Sequence, residues 1–235
     1  MQSQSPLDAS SDAWVFDSKA VTRAVALRQG ELEYTAEMIV GGIDEAGRGA
    51  LAGPVVAGAV VLQGDPEIWA GVDDSKRLTR LRRQQLYEKI RKQAVAVGVG
   101  VASVEEIDKF NILQASRLAM ARAVEQVEGL GQVSTWLVDG RDVPAYLPSG
   151  RKAIAVVGGD ARCLSIAAAS IVAKVYRDRL MVALDEIYPE YGFRRHVGYG
   201  TSAHFAALRR CGPSPVHRRS FRPVSQWSQL PLDLP

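Results

Sequence analysis

With 235 residues, 47% hydrophobic and 23% charged, the chain has the composition of an ordinary globular protein with one sizeable core, which excludes fibrous, coiled-coil and wholly disordered classes. Its longest apolar or glycine runs, Val55 to Leu62 and Ala94 to Ala102, fall short of the roughly 20 residues a membrane helix needs, and Gln2, Ser3, Gln4 and Ser5 form no cationic or apolar leader, so a cytoplasmic protein without membrane contact is expected. The net charge of +3 hides an asymmetry: no acid stands between Glu190 and Asp233, whereas arginines occupy 194, 195, 209, 210, 218, 219 and 222 among Phe193, Tyr199, Phe205 and Phe221, the pattern of a surface that tracks phosphates.

In chain order, residues 1 to about 12 are Ser/Gln/Asp-rich and expected to be disordered, and a helical pattern runs from about Ser18 to Ala36, interrupted by Gly30. Met38 to Asp44 and the valine-rich Pro54 to Leu62 are expected strands, paired antiparallel across a glycine loop. Thr79 to Lys92 is an amphipathic helix with Leu81, Leu86 and Ile90 on its apolar side. Val95 to Val101 is a third strand, and Ser103 with Glu106 forms a capping box that opens a short helix. A longer helix covers about Asn111 to Val127 with Leu113, Leu118, Ala121 and Val124 near one face, ended by Gly129 and Gly131. Thr135 to Val138 and Ala153 to Val157 are short strands. Leu164 to Ile187 is helical, with small residues Ala167 to Ser170 for close packing on a sheet, and Ser202 to Arg210 is the last helix. Strands interleaved with helices after an antiparallel start indicate an α/β fold with a mixed sheet. The expected organisation is a tail and helix over 1–37, a catalytic domain over 38–187, a basic helical extension over 188–222 and a flexible tail over 223–235.

Asp44, Glu45, Asp139 and Asp160 share one placement: an acid at or just beyond the end of an apolar strand. Active sites assemble at strand ends in open α/β sheets. Carboxylates converging there repel one another unless divalent cations neutralise them, and hard oxygen ligands suit Mg²⁺ or Mn²⁺. Two such ions during turnover can serve an in-line phosphoryl displacement. Taken singly, each acid is as well explained as a turn former or helix cap. Asp44 and Glu45 also point to opposite faces unless the strand ends or twists at that point.

The ordered motifs resemble the bacterial ribonuclease HII family over about residues 38 to 222. They are G-I-D-E-A-G-R-G from Gly42, L-A-G-P-V-V from Leu51, D-S-K from Asp74, V-D-G from Val138, G-D at 159–160, S-I-A-A-A-S-I-V-A-K-V from Ser165, R-D-R from Arg177, G-Y-G-T from Gly198 and H-R-R-S-F from His217. The resemblance implies a ribonuclease-H-like mixed sheet flanked by helices with a small helical C-terminal extension. It also implies an endonuclease that hydrolyses RNA in RNA–DNA hybrids and cuts 5′ of single ribonucleotides embedded in DNA, leaving 3′-hydroxyl and 5′-phosphate ends, in ribonucleotide repair and replication. Asp44, Glu45, Asp139 and Asp160 take the metal-site roles, with one Mn²⁺ or Mg²⁺ without substrate and two with it. Gly47, Arg48 and Gly49 match the loop that touches the ribose 2′-OH, and Tyr199 the tyrosine that reads the ribonucleotide. Ser75, Lys76 and Lys174 are expected phosphate contacts. The chain departs from the family in carrying Gly159 where Lys is common and Ala161-Arg162 after the acid, which bears on local charge near Asp160.

A ribonuclease HIII-like enzyme and a non-catalytic hybrid-binding protein are the alternatives. Cys163 and Cys211 have no metal spacing and are expected to be small buried hydrophobes, and His196, His204 and His217 structural or phosphate-side residues. The tail Gln229 to Leu234 resembles short peptides that dock on the bacterial sliding clamp.

Overall fold

The computed structural model describes residues 39–128, 133–145, 147 and 152–227. The expected N-terminal helix, the glycines 129 and 131 and the clamp-docking tail Gln229 to Leu234 lie outside these residues. Five strands, β1 (Val40–Ala46), β2 (Val55–Val61), β3 (Ala96–Ala102), β4 (Thr135–Asp139) and β5 (Lys152–Val156), form one sheet in the order β3-β2-β1-β4-β5. β1 pairs antiparallel with β2, and β2 with β3, while β4 lies parallel to both β1 and β5. The expected mixed sheet is therefore present, and β2 is buried along its whole length because helices cover both of its faces.

The helices are α1 (Arg80–Gln93), α2 (Val104–Phe110), α3 (Ile112–Glu128), α4 (Gly159–Arg162), α5 (Leu164–Ile187), α6 (Phe193–His196), α7 (Ser202–Cys211) and α8 (Arg222–Trp227). The capping box forms as expected: Ser103 N–H donates to Glu106 Oε2 at 2.9 Å, and Glu106 N–H to Ser103 Oγ at 3.3 Å. Arg122 then clamps Glu106 with two hydrogen bonds. Leu81 and Leu113, expected on buried faces, are exposed; Leu86, Tyr87 and Ile90 carry the burial of α1 instead.

One face of the sheet packs Val56, Val60, Val97 and Val99 against α1 and α5. The other packs Ile43, Val55, Ala57, Ala59 and Val61 against α3. Alanines 167 to 169 bring α5 so near that a Cβ at Gly42 would strike the backbone of Ser165 and Ile166, and one at Gly58 would stand 2.6 Å from the Ala169 carbonyl oxygen. A third cluster joins Leu51, Ala52 and Met181 to Tyr191, Phe193, Ala207, Leu208 and Val224. The C-terminal extension thus shares its core with the loop after β1. Val224 is fully buried, so the boundary expected between 222 and 223 falls inside the packed helix α8. Cys163 is buried but Cys211 is exposed, which corrects half of the expectation for the cysteines. No helix among the described residues is long and apolar enough to cross a membrane.

Candidate metal and nucleic-acid site

The register of β1 on β4 runs Val40 opposite Thr135 to Ile43 opposite Val138, so the next pair along, Asp44 and Asp139, stand side by side where β4 ends and its pairing with β1 stops, two residues before the end of β1. Strand alternation puts Asp44 on the α5 face with Gly42, and Glu45 on the α3 face with Ile43. After β5, Gly158 in the left-handed conformation (φ 63°) turns the chain into α4, which carries Asp160 back toward the strand ends. Gly159 N–H donates to Asp139 Oδ1 at 2.7 Å. A Cβ at 159 would stand 2.5 Å from Ile166 Cδ1, so a larger residue there requires that side chain to move.

Ligand oxygens of Asp44, Asp139 and Asp160 all lie within 4.8 Å of one another. Burial, reinforced by Glu45 and Asp139, pushes the Asp44 carboxyl well above the usual carboxylate range. Burial likewise raises Asp139, opposed by the Gly159 N–H and aided by Asp160. Three hard oxygen donors that are costly to ionise together fit a divalent cation, whose charge relieves both the burial and the repulsion.

Glu45 stands outside this triad. Its carboxylate accepts from Arg48 Nη1 at 3.0 Å, and although burial raises its pKa, Arg48 opposes the shift. It opens instead on a cleft of about 320 Å³ between α3 and the loop after β4, lined also by Arg48, Ser116, Arg117, Asp139 and Arg141. Lys76 reaches Asp160 Oδ2 at 3.0 Å, a pairing that raises the lysine pKa.

The remaining expected residues divide. Gly47 (φ 96°) and Gly49 form the turn beside Tyr199: a Cβ at 47 would collide with Arg177, and one at 49 would stand 3.9 Å from the Tyr199 ring. Tyr199 is 37% exposed. Lys174 is tied to Asp178 at 2.8 Å with Nζ 5.8 Å from the Tyr199 ring centroid. Ser75 is not brought to the surface: it is 5% exposed, with its N–H on Ser170 Oγ and its carbonyl accepting from Arg83.

The arginine block is not one surface. Arg218 has no exposure and donates from Nε to Gly53 O at 2.9 Å, from Nη1 to Arg48 O at 2.9 Å and from Nη2 to Pro54 O at 3.2 Å. Burial, with Arg177 nearby, pushes its pKa down to about 9. This corrects its expected place on the phosphate face. Arg194 pairs with Asp185 and Glu186, whereas Arg195, Arg209, Arg219 and Arg222 are exposed. Arg177, to which the sequence reading assigned no role, is equally buried and donates to the Pro54, Val197 and Ala52 carbonyls. A signal for it existed: Ala173, Arg177 and Met181 fall at helical spacing on one buried stripe of α5. The three histidines are buried together.

The profile of the family described as Ribonuclease HII matches residues 41–224. The chain is 54% identical over 202 residues to the Ribonuclease HII of Rhizorhabdus wittichii, covering 86% of this chain and 96% of that one. Among solved structures it resembles the ribonuclease H2 of Pyrococcus horikoshii with a TM-score of 0.67 and 29% identity, over 80% of this chain and 96% of that one. It also resembles the RNase HII of Archaeoglobus fulgidus, solved as a complex with PCNA, with a TM-score of 0.67 and 27% identity over 78% of this chain and 95% of that one.

Proposed function

Because the chain belongs to the ribonuclease HII family and is an endonuclease of the ribonuclease H type 2 class, we propose that it cuts 5′ of ribonucleotides, within RNA–DNA hybrids and singly embedded in duplex DNA, leaving 3′-hydroxyl and 5′-phosphate ends. The observation that carries this reading is the triad Asp44, Asp139 and Asp160 with oxygens within 4.8 Å. The family match and the full set of acids disfavour both a ribonuclease HIII-like enzyme and a non-catalytic binder.

These three carboxylates, joined by Glu45 when it exchanges its Arg48 partner, would hold Mg²⁺ or Mn²⁺, one ion in the free enzyme and two with substrate. Bound there, the ions supply Lewis-acid polarisation of the scissile phosphate and an acidified water. The chain's own groups do the rest. Gly159 N–H orients Asp139, and Lys76 stays paired with Asp160 until the substrate phosphates arrive. Gly47, Arg48 and Gly49 receive the ribose 2′-OH, and the Tyr199 ring packs on the neighbouring sugar. Exposed Arg195, Arg209, Arg219 and Arg222, with Lys174, track phosphates; Ser75 supports that strand of contacts from below. The natural setting of such a reaction is ribonucleotide removal during replication in the cytoplasm.

The deciding assay uses a labelled DNA duplex with one ribonucleotide and Mg²⁺ or Mn²⁺, with products mapped to the base. Cleavage on the 5′ side of the ribonucleotide supports the reading; intact duplex, or cleavage elsewhere, rejects it. The Archaeoglobus fulgidus complex with PCNA also favours a clamp contact for this chain, through Gln229 to Leu234. A peptide of residues 224 to 235 is expected to bind the cognate clamp at micromolar affinity, about −8 kcal/mol, and to lose it on changing Gln229 and Leu230 to Ala.

A further inference from the structure

Behind Tyr199 lies a line of hydrogen bonds whose direction the chemistry determines. His204 Nδ1 is 2.9 Å from the Tyr199 carbonyl oxygen, His204 Nε2 is 2.9 Å from His217 Nε2, and His217 Nδ1 is 3.0 Å from Ser214 N and 2.8 Å from Ser214 Oγ. A carbonyl only accepts, so His204 carries its proton on Nδ1. Ser214 N–H only donates, so His217 Nδ1 is the bare nitrogen. His217 Nε2–H must then donate to His204 Nε2. One arrangement of protons satisfies every atom, and it requires both rings to be neutral. Burial supplies that condition by pushing His217 down to about 3 and lowering His204. His196 stacks on His204 with centroids 4.5 Å apart, and Phe193 meets His204 edge-on.

The line ends on the residue whose ring faces the Gly47 to Gly49 loop. The same segment is tied to that loop by Leu51 N–H donating to Gly198 O at 2.8 Å and by the bridge between Ala52 and His217. We propose that His204 and His217 are positioning residues for ribonucleotide recognition, forming a one-way relay from Ser214 to the Tyr199 carbonyl that holds the tyrosine ring against the glycine loop. The proposal rests on Tyr199 reading the ribonucleotide, as set out above.

The test exploits atom positions. In His204→Asn the side-chain amide donor takes the place of Nδ1 and can still reach the Tyr199 carbonyl; in His204→Gln the donor takes the place of Nε2 and cannot. We expect His204→Asn to keep the ratio of kcat/KM on a single-ribonucleotide duplex to that on a long hybrid within about twofold, and His204→Gln to lower it about tenfold, the worth of one strong hydrogen bond. Tyr199→Ala should lower the ratio as much, and adding His204→Gln to it should change nothing more. A purely structural histidine would favour the better-filling Gln and would reduce both substrates alike; that result, or additive losses in the double variant, overturns the relay as a recognition device. An unchanged ratio in Tyr199→Ala rejects the role of the tyrosine instead. Nitrogen-15 spectra of the wild-type imidazoles then judge the relay independently of any variant's folding: Nδ1–H on His204 and Nε2–H on His217 support it, and the opposite tautomers or charged rings refute it.

Discussion

The carboxylate corner where the pairing of β1 with β4 stops and the loop from Arg48 to Pro54 adjoin each other, yet they treat buried charge in opposite ways. Arg177 and Arg218 donate to the carbonyls of residues 48, 52, 53, 54 and 197 and have no exposure, so neither can reach a phosphate. Asp44 gains one backbone donor, from Glu45, and Asp139 gains two, from Gly159 and Asp160, with Lys76 in reach; neither has a guanidinium partner, and both face other acids. Satisfied charge fixes a shape; unsatisfied charge waits for a ligand. The difference separates residues that build the site from residues that work in it, although all of them are ionisable and at least partly buried.

The sharpest way to break this contrast is to remove one waiting acid. Asp139→Asn or Asp44→Asn should lower the cleavage rate by about a thousandfold with binding to hybrid retained, because a site-preorganising charge is lost while the shape is nearly kept. Single-turnover rates beside filter-binding constants measure both, and near wild-type cutting would show that the triad is not the metal site.

On the other side, Arg218→Ala should cost roughly 3 kcal/mol or more of folding stability, since it opens a cavity and takes the side-chain donor from the Arg48 and Gly53 carbonyls. Denaturant titration checks this. A loss confined to nucleic-acid affinity, with stability intact, would return Arg218 to the phosphate face.

Asp44→Asn carries a second expectation of opposite sign. A carboxyl whose folded pKa is raised binds its proton more tightly folded than unfolded, so stability falls as pH rises from the unfolded value of about 3.9 through the folded one. In metal-free buffer at neutral pH the Asn variant should therefore be more stable than wild type, by on the order of 1 kcal/mol. The gap should close on adding Mg²⁺ and in acid. A less stable variant would mean that the fold favours the Asp44 charge.

The smallest effect concerns the exposed cations. Arg219→Ala should flatten the slope of log affinity against log salt by about one, as for one phosphate contact. An unchanged slope would take Arg219 off the nucleic-acid face.

Much of this arrangement was legible from residue order alone. Apolar runs with an acid at or just beyond their ends marked β1, β4 and β5, and valine enrichment marked β2; the alternation rule set Asp44 and Glu45 on opposite faces unless the strand ended or twisted there, and they do lie on opposite faces. Small residues in α5 announced its close seat on the sheet. The fate of individual arginines was not legible, because a one-signed run looks the same whether its members meet solvent or carbonyls 170 positions away, as Arg218 meets Arg48. Pairings such as Lys76 with Asp160 depend on α4 turning back, and that turn rests on the left-handed Gly158 rather than on any periodic signal. The burial of Ser75, expected through the D-S-K motif as a phosphate contact, was not legible either, since its contacts with Ser170 and Arg83 come from other segments of the chain.

Gly42 and Gly58 set the gauge of the whole site. Two of the triad acids ride on strands and the third precedes α5, so the spacing of their oxygens is inherited from how deep that helix sits on the sheet. At Gly58 the clearance is 2.6 Å from a would-be Cβ to the Ala169 carbonyl oxygen. A methyl group there, on the strand position opposite Asp44, acts as a shim: it adds no charge, yet it lifts the helix and widens the gap a cation has to bridge. Machinery cut to this tolerance can be detuned by a single carbon atom.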